Sequence, residues 1–265
     1  MNVPEGLAVI AMTFGATEVD KIPYPQHASW TGGILFDEWA RNTFRGRTAA
    51  AQSAASTATD WMYRAGALVP FVVDDYFATL SGHQNADVAL QMALIDLEAY
   101  GVSAMVSLGV EHVVGRARPY TESCNLRDRS TGQLLHQCGT GNDARSFYSG
   151  HAAATSTTAG VVCAEHQHLP LFGGGFADLA PCLFMIGVSA TTGVLRLVYD
   201  EHWATDVVAG WMVGTAAGYV LPSLLHYGFR GGGHPPGEIV SGSLHALPTL
   251  LSYPAGAGAG FVGVF

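Results

Sequence analysis

The stretch "SFYSGHAAATS", Ser146 to Ser156, decides how the chain is read. A Ser-Gly pair ahead of small, helix-favouring residues marks the first turn of a helix, where backbone N–H groups lack intrahelical partners and attract anions. A phosphate fits such a place. Taken alone, the same residues also fit a serine N-cap, Ser146 or Ser149, with His151 on the helix surface. The residues on either side have to separate the two readings.

The composition is that of a chain with few charges. Only 12% of the 265 residues are Asp, Glu, Lys or Arg, against about 25% in an ordinary soluble domain, and 49% are apolar. This points to a membrane protein or a deeply buried helical bundle. The formal net charge of −9 excludes a nucleic-acid binder, which needs a basic face to replace phosphate counterions. Basic residues are one lysine, Lys21, and eleven arginines. Arginine suits bidentate recognition of anions, although a GC-rich genome produces the same bias.

Apolar periodicity places helices at about Ala49–Leu80, Asn85–Val114, Tyr148–Glu165, Ala177–Val198 and His202–Tyr227. Several carry apolar runs of about 16 to 22 residues, near the length a bilayer requires. Charged interruptions are few: Asp60, Arg64, Asp74-Asp75, Asp96, Glu98 and Asp206. The expected fold is a membrane-embedded all-α bundle of about five to six helices, forming one domain over 1–265. Its core is 49–227, with an N-terminal segment 1–48 and a tail 228–265 that ends in a short hairpin. "GLAVIAMTFGA", Gly6 to Ala16, is short for a span, and no Lys or Arg precedes it as in a signal peptide.

The cysteines fall into two settings. Cys124 and Cys138 lie in a polar loop, and a disulfide between them would imply an oxidising compartment, with two unpaired thiols as the alternative. Cys163 and Cys182 sit in apolar segments and read as small buried residues. His166 and His168 in "AEHQHLP" read as a polar loop rather than a metal pair, and Gly173 to Gly175 as a turn. No metal site and no cofactor is expected.

Three separated pieces share one chemical theme. "VGRARPY", Val114 to Tyr120, brings Arg116 and Arg118 to the end of an apolar helix that Pro119 stops. The opening stretch brings Ser149, Gly150 and His151. "LRLVYDEHWATD", Leu195 to Asp206, brings Arg196, His202 and Asp206. A spacing of i,i+4 would place His202 and Asp206 on one helical face, so that the carboxylate holds one ring nitrogen and leaves the other free. Together these residues suffice for phosphoryl transfer through a histidine. His202 attacks phosphorus, Asp206 fixes its tautomer, Arg118, Arg196 and the N–H groups near Ser149 and Gly150 hold the phosphoryl oxygens, and His151 serves as acid and then base.

Arg118-Pro119, Ser149-Gly150-His151 and Arg196 with His202 and Asp206 resemble the three-part signature of the type 2 phosphatidic acid phosphatase and vanadium haloperoxidase superfamily. The resemblance runs from Glu111 to Asp206. It implies a helical phosphatase acting on a phosphorylated lipid or a small phosphoester, in a bacterial inner membrane with the site facing the periplasm. In that family the first motif begins with a lysine seven residues before the Arg-Pro, and here Glu111 stands there. Arg116 or Arg145 would have to supply the missing charge, and Arg116 or Arg118 could pair with Glu111. Tyr148 and Leu195 stand where the second and third motifs usually carry Pro and Ser. Three alternatives stay open: a soluble broad-specificity acid phosphatase, a vanadate-dependent haloperoxidase, and a non-catalytic binder of lipid phosphate disabled at Glu111.

Overall fold

The structure is a computed structural model that describes residues 3–124, 126–228, 247–253 and 256–262. Its helices are α1 (Val3–Val19), α2 (Asp37–Phe44), α3 (Ala49–Gly66), α4 (Ala86–Val114), α5 (Gly150–His168), α6 (Phe176–Val198) and α7 (Ala204–Thr215). Helix α5 is the axis of the bundle: α3, α4, α6 and α7 all pack against it, and α1 lies on α4. A two-stranded antiparallel hairpin, β1 (Leu247–Tyr253) and β2 (Gly256–Val262), pairs Leu247 with Val262 through Tyr253 with Gly256. The expected all-α bundle with a hairpin tail is therefore observed; the turn residues Pro254 and Ala255 lie outside the described residues.

Helix boundaries follow local chemistry, and two differ from the periodicity. The helix expected over 49–80 is interrupted: α3 starts at the N-cap Thr48, whose side chain accepts from Ala51 N, and ends at Gly66. A π-helical segment, Pro70–Gly82, follows, because Pro70 has no N–H with which to continue the α-helical ladder. Helix α7 begins at Ala204 rather than His202. Its N-cap is Trp203, whose N–H donates to the Asp206 carboxylate at 2.9 Å, so His202 precedes the helix. Beyond α7 the chain continues in π-helical turns over Ala216–Val220 and Ser223–Tyr227.

Helix α4 stops at Gly115, whose φ of 57° lies in the left-handed region that glycine adopts freely. Its carbonyl accepts from Ser29 N, and Ala117 N donates to Trp30 O, which pins the start of the long loop to the N-terminal segment.

Two cysteine pairs are joined. Cys124–Cys138 forms the expected loop disulfide. Cys163–Cys182 corrects the reading of these two as plain buried residues: it links α5 to α6 covalently. Helix α5 also runs further than the periodicity indicated, through His168, so His166 and His168 lie in its last turn and not in a polar loop. Gly173, Gly174 and Gly175, all at positive φ, make the expected turn between α5 and α6.

The approach of α7 to α5 is set by absent side chains. Gly210, Gly214 and Gly218, four residues apart, face α5 so closely that a Cβ on them would stand 2.6 Å from Ser149 O, 2.2 Å from Ala153 O and 2.1 Å from Thr157 O. Small residues at this spacing let helix backbones touch, the packing mode common within membranes. Around the contact lie Ala40, Ala152, Leu197, Ala204 and Val207. Three helical stretches are long and apolar enough to cross a bilayer: Ala86–Val114, Phe176–Val198 and Ala204–Tyr227.

Because Gly214 meets backbone and not a flexible side chain, Gly214→Leu is expected to push α7 off α5 and to lower the melting temperature beyond the about 1–3 kcal/mol of ordinary overpacking. Gly187→Leu, where nothing lies within 4 Å, should leave it unchanged. Thermal unfolding of both variants checks this.

Candidate active site

The three sequence pieces converge on one cavity of ≈ 320 Å³ at the N-terminal end of α5. Arg118 comes from the loop after α4, Gly150 and His151 from the first turn of α5, Arg196 from the last turn of α6, and His202 from the turn before α7; all of them line it. A volume of this size suits a phosphoryl group with a small part of its ester.

His202 is 4% exposed, and its Nδ1 lies 2.7 Å from the carbonyl oxygen of Ser146. A carbonyl only accepts, so Nδ1 carries the proton and donates, leaving Nε2 with its lone pair. Burial first, then the neighbouring Arg118 and Arg196, hold the imidazolium form of His202 well below the ordinary histidine range. The ring is therefore neutral at neutral pH, with the Nε2 lone pair uncommitted.

Asp206 does not orient this ring, contrary to the expected i,i+4 pair, because the helix starts only at Ala204. Its carboxylate accepts instead from Ser146 Oγ at 2.6 Å, Trp203 N at 2.9 Å and Arg116 Nη1 at 2.5 Å. It acts on His202 at one remove: it fixes Ser146, and the Ser146 carbonyl fixes the imidazole.

Arg116 is likewise not a phosphate ligand. It has no exposed surface and is paired with Asp206 and, at 2.7 Å, with Asp37. Its guanidinium also lies over the Trp30 ring at 4.1 Å. Ser149 takes a capping role: its N–H donates to the Asp206 carbonyl and its hydroxyl accepts from Ala152 N, which leaves Gly150 as the member of the pair that reaches the cavity.

The position of the absent lysine is explained by Arg145. Glu111 accepts two hydrogen bonds from it, from Nε at 3.0 Å and Nη2 at 2.7 Å, and both residues line the cavity. The Arg145 guanidinium lies 3.4 Å from the centre of the Tyr24 ring, so it is held from both sides.

Two charged lining residues were not singled out from sequence as parts of the site. Asp60, which sequence shows only as a charge within an apolar helix, lies 3.0 Å from His151 Nε2. Glu201 carries no sequence signal beyond its place beside His202. Its Oε2 bridges the two phosphate-motif arginines, Arg118 and, at 2.7 Å, Arg196. A single carboxylate oxygen thus lies between the two guanidinium groups. Three arginines (118, 145, 196) thus face three carboxylates (60, 111, 201) in the cavity. His151 is neutral beside them: burial, then Arg196, push its pKa down to about 4, against the opposing pull of Asp60.

The sequence model of the PAP2 superfamily matches residues 93–230, which span the cavity residues from Glu111 to His202. The chain belongs to the PAP2 superfamily. No curated protein and no solved structure matched the chain. Members of the PAP2 superfamily are phosphatases or related hydrolases, so the chain is a hydrolase of the phosphoric-ester class. Within the PAP2 match, Glu111 and Glu201 are the carboxylates that face the cavity's arginines, with Asp60 from outside it.

Two outcomes follow from the charge map. Arg116→Ala leaves Asp37 and Asp206 buried without their cation, and is expected to cost about 3–5 kcal/mol of stability in chemical denaturation. Glu201→Gln frees Arg118 and Arg196, so orthovanadate, a phosphate mimic, should inhibit the variant at least about tenfold more tightly than the parent, about 1.4 kcal/mol. Equal inhibition constants would show that the Glu201 bridge does not compete with the anion.

Proposed function

We propose that residues 1–265 act as one phosphatase domain that hydrolyses a phosphomonoester or pyrophosphate of a lipid through a phosphohistidine on His202. The observation that carries this reading is the His202 ring itself. Its Nδ1 is committed to the Ser146 carbonyl, and it lines the same cavity as the arginine pair Arg118 and Arg196. Nε2 attacks phosphorus, the bond to the leaving oxygen breaks, and Arg118 and Arg196 hold the charge on the phosphoryl oxygens once Glu201 gives way. Protonated His151 gives its proton to the leaving oxygen. In the second half, neutral His151 takes a proton from water as the water attacks phosphohistidine, releasing inorganic phosphate and restoring His202.

A lipid substrate is favoured by the exterior of the bundle. Candidate spans expose large apolar side chains, among them Leu90, Val113, Phe176, Leu183, Phe184 and Met212. Such a surface suits acyl chains and is costly in water. The Cys124–Cys138 disulfide follows Arg118 in the same loop, which favours a site that faces an oxidising compartment, as the periplasmic side of a bacterial inner membrane does.

Phosphate release from a panel of lipid and soluble phosphates tests the reading. His202→Ala is expected to lose turnover by several orders of magnitude with its melting temperature retained, and undiminished hydrolysis would end this mechanism. The pH profile provides a second check. The acid His151 must be protonated, and its pKa in the free enzyme is about 4. Hence kcat/KM should rise about tenfold for each unit that pH falls from 7 toward 4. Asp60→Asn removes a carboxylate that favours imidazolium, so this limb should move to lower pH.

A further inference from the structure

At the far end of α5 from the phosphate cavity lies a second group of titratable side chains that the phosphatase chemistry does not use. Asp75 from the π-helical segment, Asp96 from α4 and Glu165 from α5 are 5%, 0% and 1% exposed, and each brings a carboxylate oxygen to within 4.8 Å of the other two. Glu165 follows His151 by fourteen residues on α5 and Asp96 precedes Glu111 by fifteen on α4. At 1.5 Å per residue each stands about 20 Å from the phosphate cavity.

No N–H or hydroxyl donor reaches any of the six buried carboxylate oxygens of these three residues, and Glu165 lies within hydrogen-bonding reach of Asp96. Burying charged oxygens unpaired is among the most unfavourable arrangements a fold can contain, unless an ion or protons complete it. An observation outside the trio points the same way. Asp74, 1% exposed, is within reach of Glu165, and no N–H or hydroxyl donor reaches its buried Oδ2. Its other oxygen is oriented by His166 Nε2 at 3.1 Å, and His166 Nδ1 is held at 2.7 Å by Asp178. Asp178 in turn accepts from Phe172 N and Gly174 N. This carboxylate–imidazole–carboxylate chain is the kind of outer support that orients ligands around metal ions. His166 answers only the charges of Asp74 and Asp178. Among the described residues, no arginine or lysine pairs with Asp75, Asp96 or Glu165.

We propose that Asp75, Asp96 and Glu165, with Asp74 beside them, bind a hard divalent cation, Ca2+ or Mg2+, that ties the π-helical segment to α4 and α5. Oxygen-only, all-carboxylate ligands select this class over zinc or copper, which favour nitrogen and sulfur. Two positive charges answer most of the trio's charge, and the cation supplies the partner that the six oxygens lack. The site is structural and independent of the phosphate cavity.

The test uses the full-length protein in detergent, first stripped with EDTA and then given CaCl2, MgCl2 or MnCl2 singly. Metal analysis of the unstripped protein is expected to find about one equivalent of Ca or Mg. Re-addition should raise the melting temperature of stripped protein by roughly 5–10 °C at a 100-fold excess over Kd. Tb3+ should bind in place of Ca2+ and luminesce on tyrosine excitation, because the buried Tyr227 Oη faces the same acids. Asp96→Asn should lose the metal and the thermal response, whereas His202→Ala should keep both. Absence of metal together with a melting temperature indifferent to EDTA and to all three cations would overturn the proposal and leave carboxyls that share protons. A thermal response that survives in Asp96→Asn with Glu165→Gln would overturn it too, by placing the ion elsewhere. If those variants do not fold, the wild-type metal analysis and EDTA response still decide.

Discussion

A single guanidinium without exposed surface holds the cavity end of this bundle together. Arg116 donates from Nη1 to Asp206 and Thr205, and from Nη2 to Asp37 and Gly32 O, while its own carbonyl accepts from Ser146 N. Four separate pieces of chain thus meet on one residue: the N-terminal loop, α2, the segment before α5 and the start of α7. Removing a fully buried cation from water is costly, and two carboxylates plus aromatic faces at Trp30 and Trp203 offset that cost here. The position of His202 then follows by geometry. Arg116 fixes Asp206, Asp206 holds the Ser146 hydroxyl, and the Ser146 carbonyl holds Nδ1 of the ring. None of these groups touches the cavity, yet they determine which nitrogen faces it.

Inside the cavity the charge is balanced before any substrate arrives. Glu201 between Arg118 and Arg196, and Glu111 against Arg145, occupy the cations that an anion would use. On the proposed function, an incoming phosphoryl group displaces the first carboxylate and competes with the second. Arginines held in this way stay positioned, and the carboxylates answer their mutual repulsion. Affinity for phosphate falls by the same argument, since the exchange is anion for anion. In an enzyme whose product is also an anion, weaker ground-state binding does not lower the rate if the arginines contact the transition state more strongly.

The legible part of this molecule was the part with local signals. Helix ends at Thr48, Asn85 and Gly115 follow capping chemistry that one sequence contains, and the family signature placed Arg118, His151, Arg196 and His202 around one cavity. What failed depended on partners far along the chain. Asp206 looked like a helical neighbour of His202, but the helix begins two residues later than the apolar pattern, because Asp206 itself caps it through Trp203 N. Arg116 looked like an anion ligand beside Arg118, but the alternation of an extended segment turns one arginine inward and the other to the cavity. Glu201 could not be found at all, since a carboxylate beside His202 has no period or spacing. Gly210, Gly214 and Gly218 were readable in principle, being a four-residue stripe of glycine in an apolar helix.

Helix α5 explains why these features coexist. Its backbone touches α7 at the glycine stripe, its first turn brings Gly150 and His151 to the phosphate cavity, and its last turns carry Glu165 and His166 into the acidic cluster. A helix packed backbone to backbone on one side cannot tilt without breaking many contacts at once, since packed interiors deform little. The two ends of α5 are therefore held to each other's geometry across about 20 Å. At one end unpaired carboxylates repel, and whatever neutralises them draws the π-helical segment, α4 and α5 together. At the other end the same rigidity keeps His151 against Asp60 and beside His202. The polar residues of this apolar bundle thus occur where α5 meets its neighbours, and the glycine contact between its ends sets the distance that separates one group from the other.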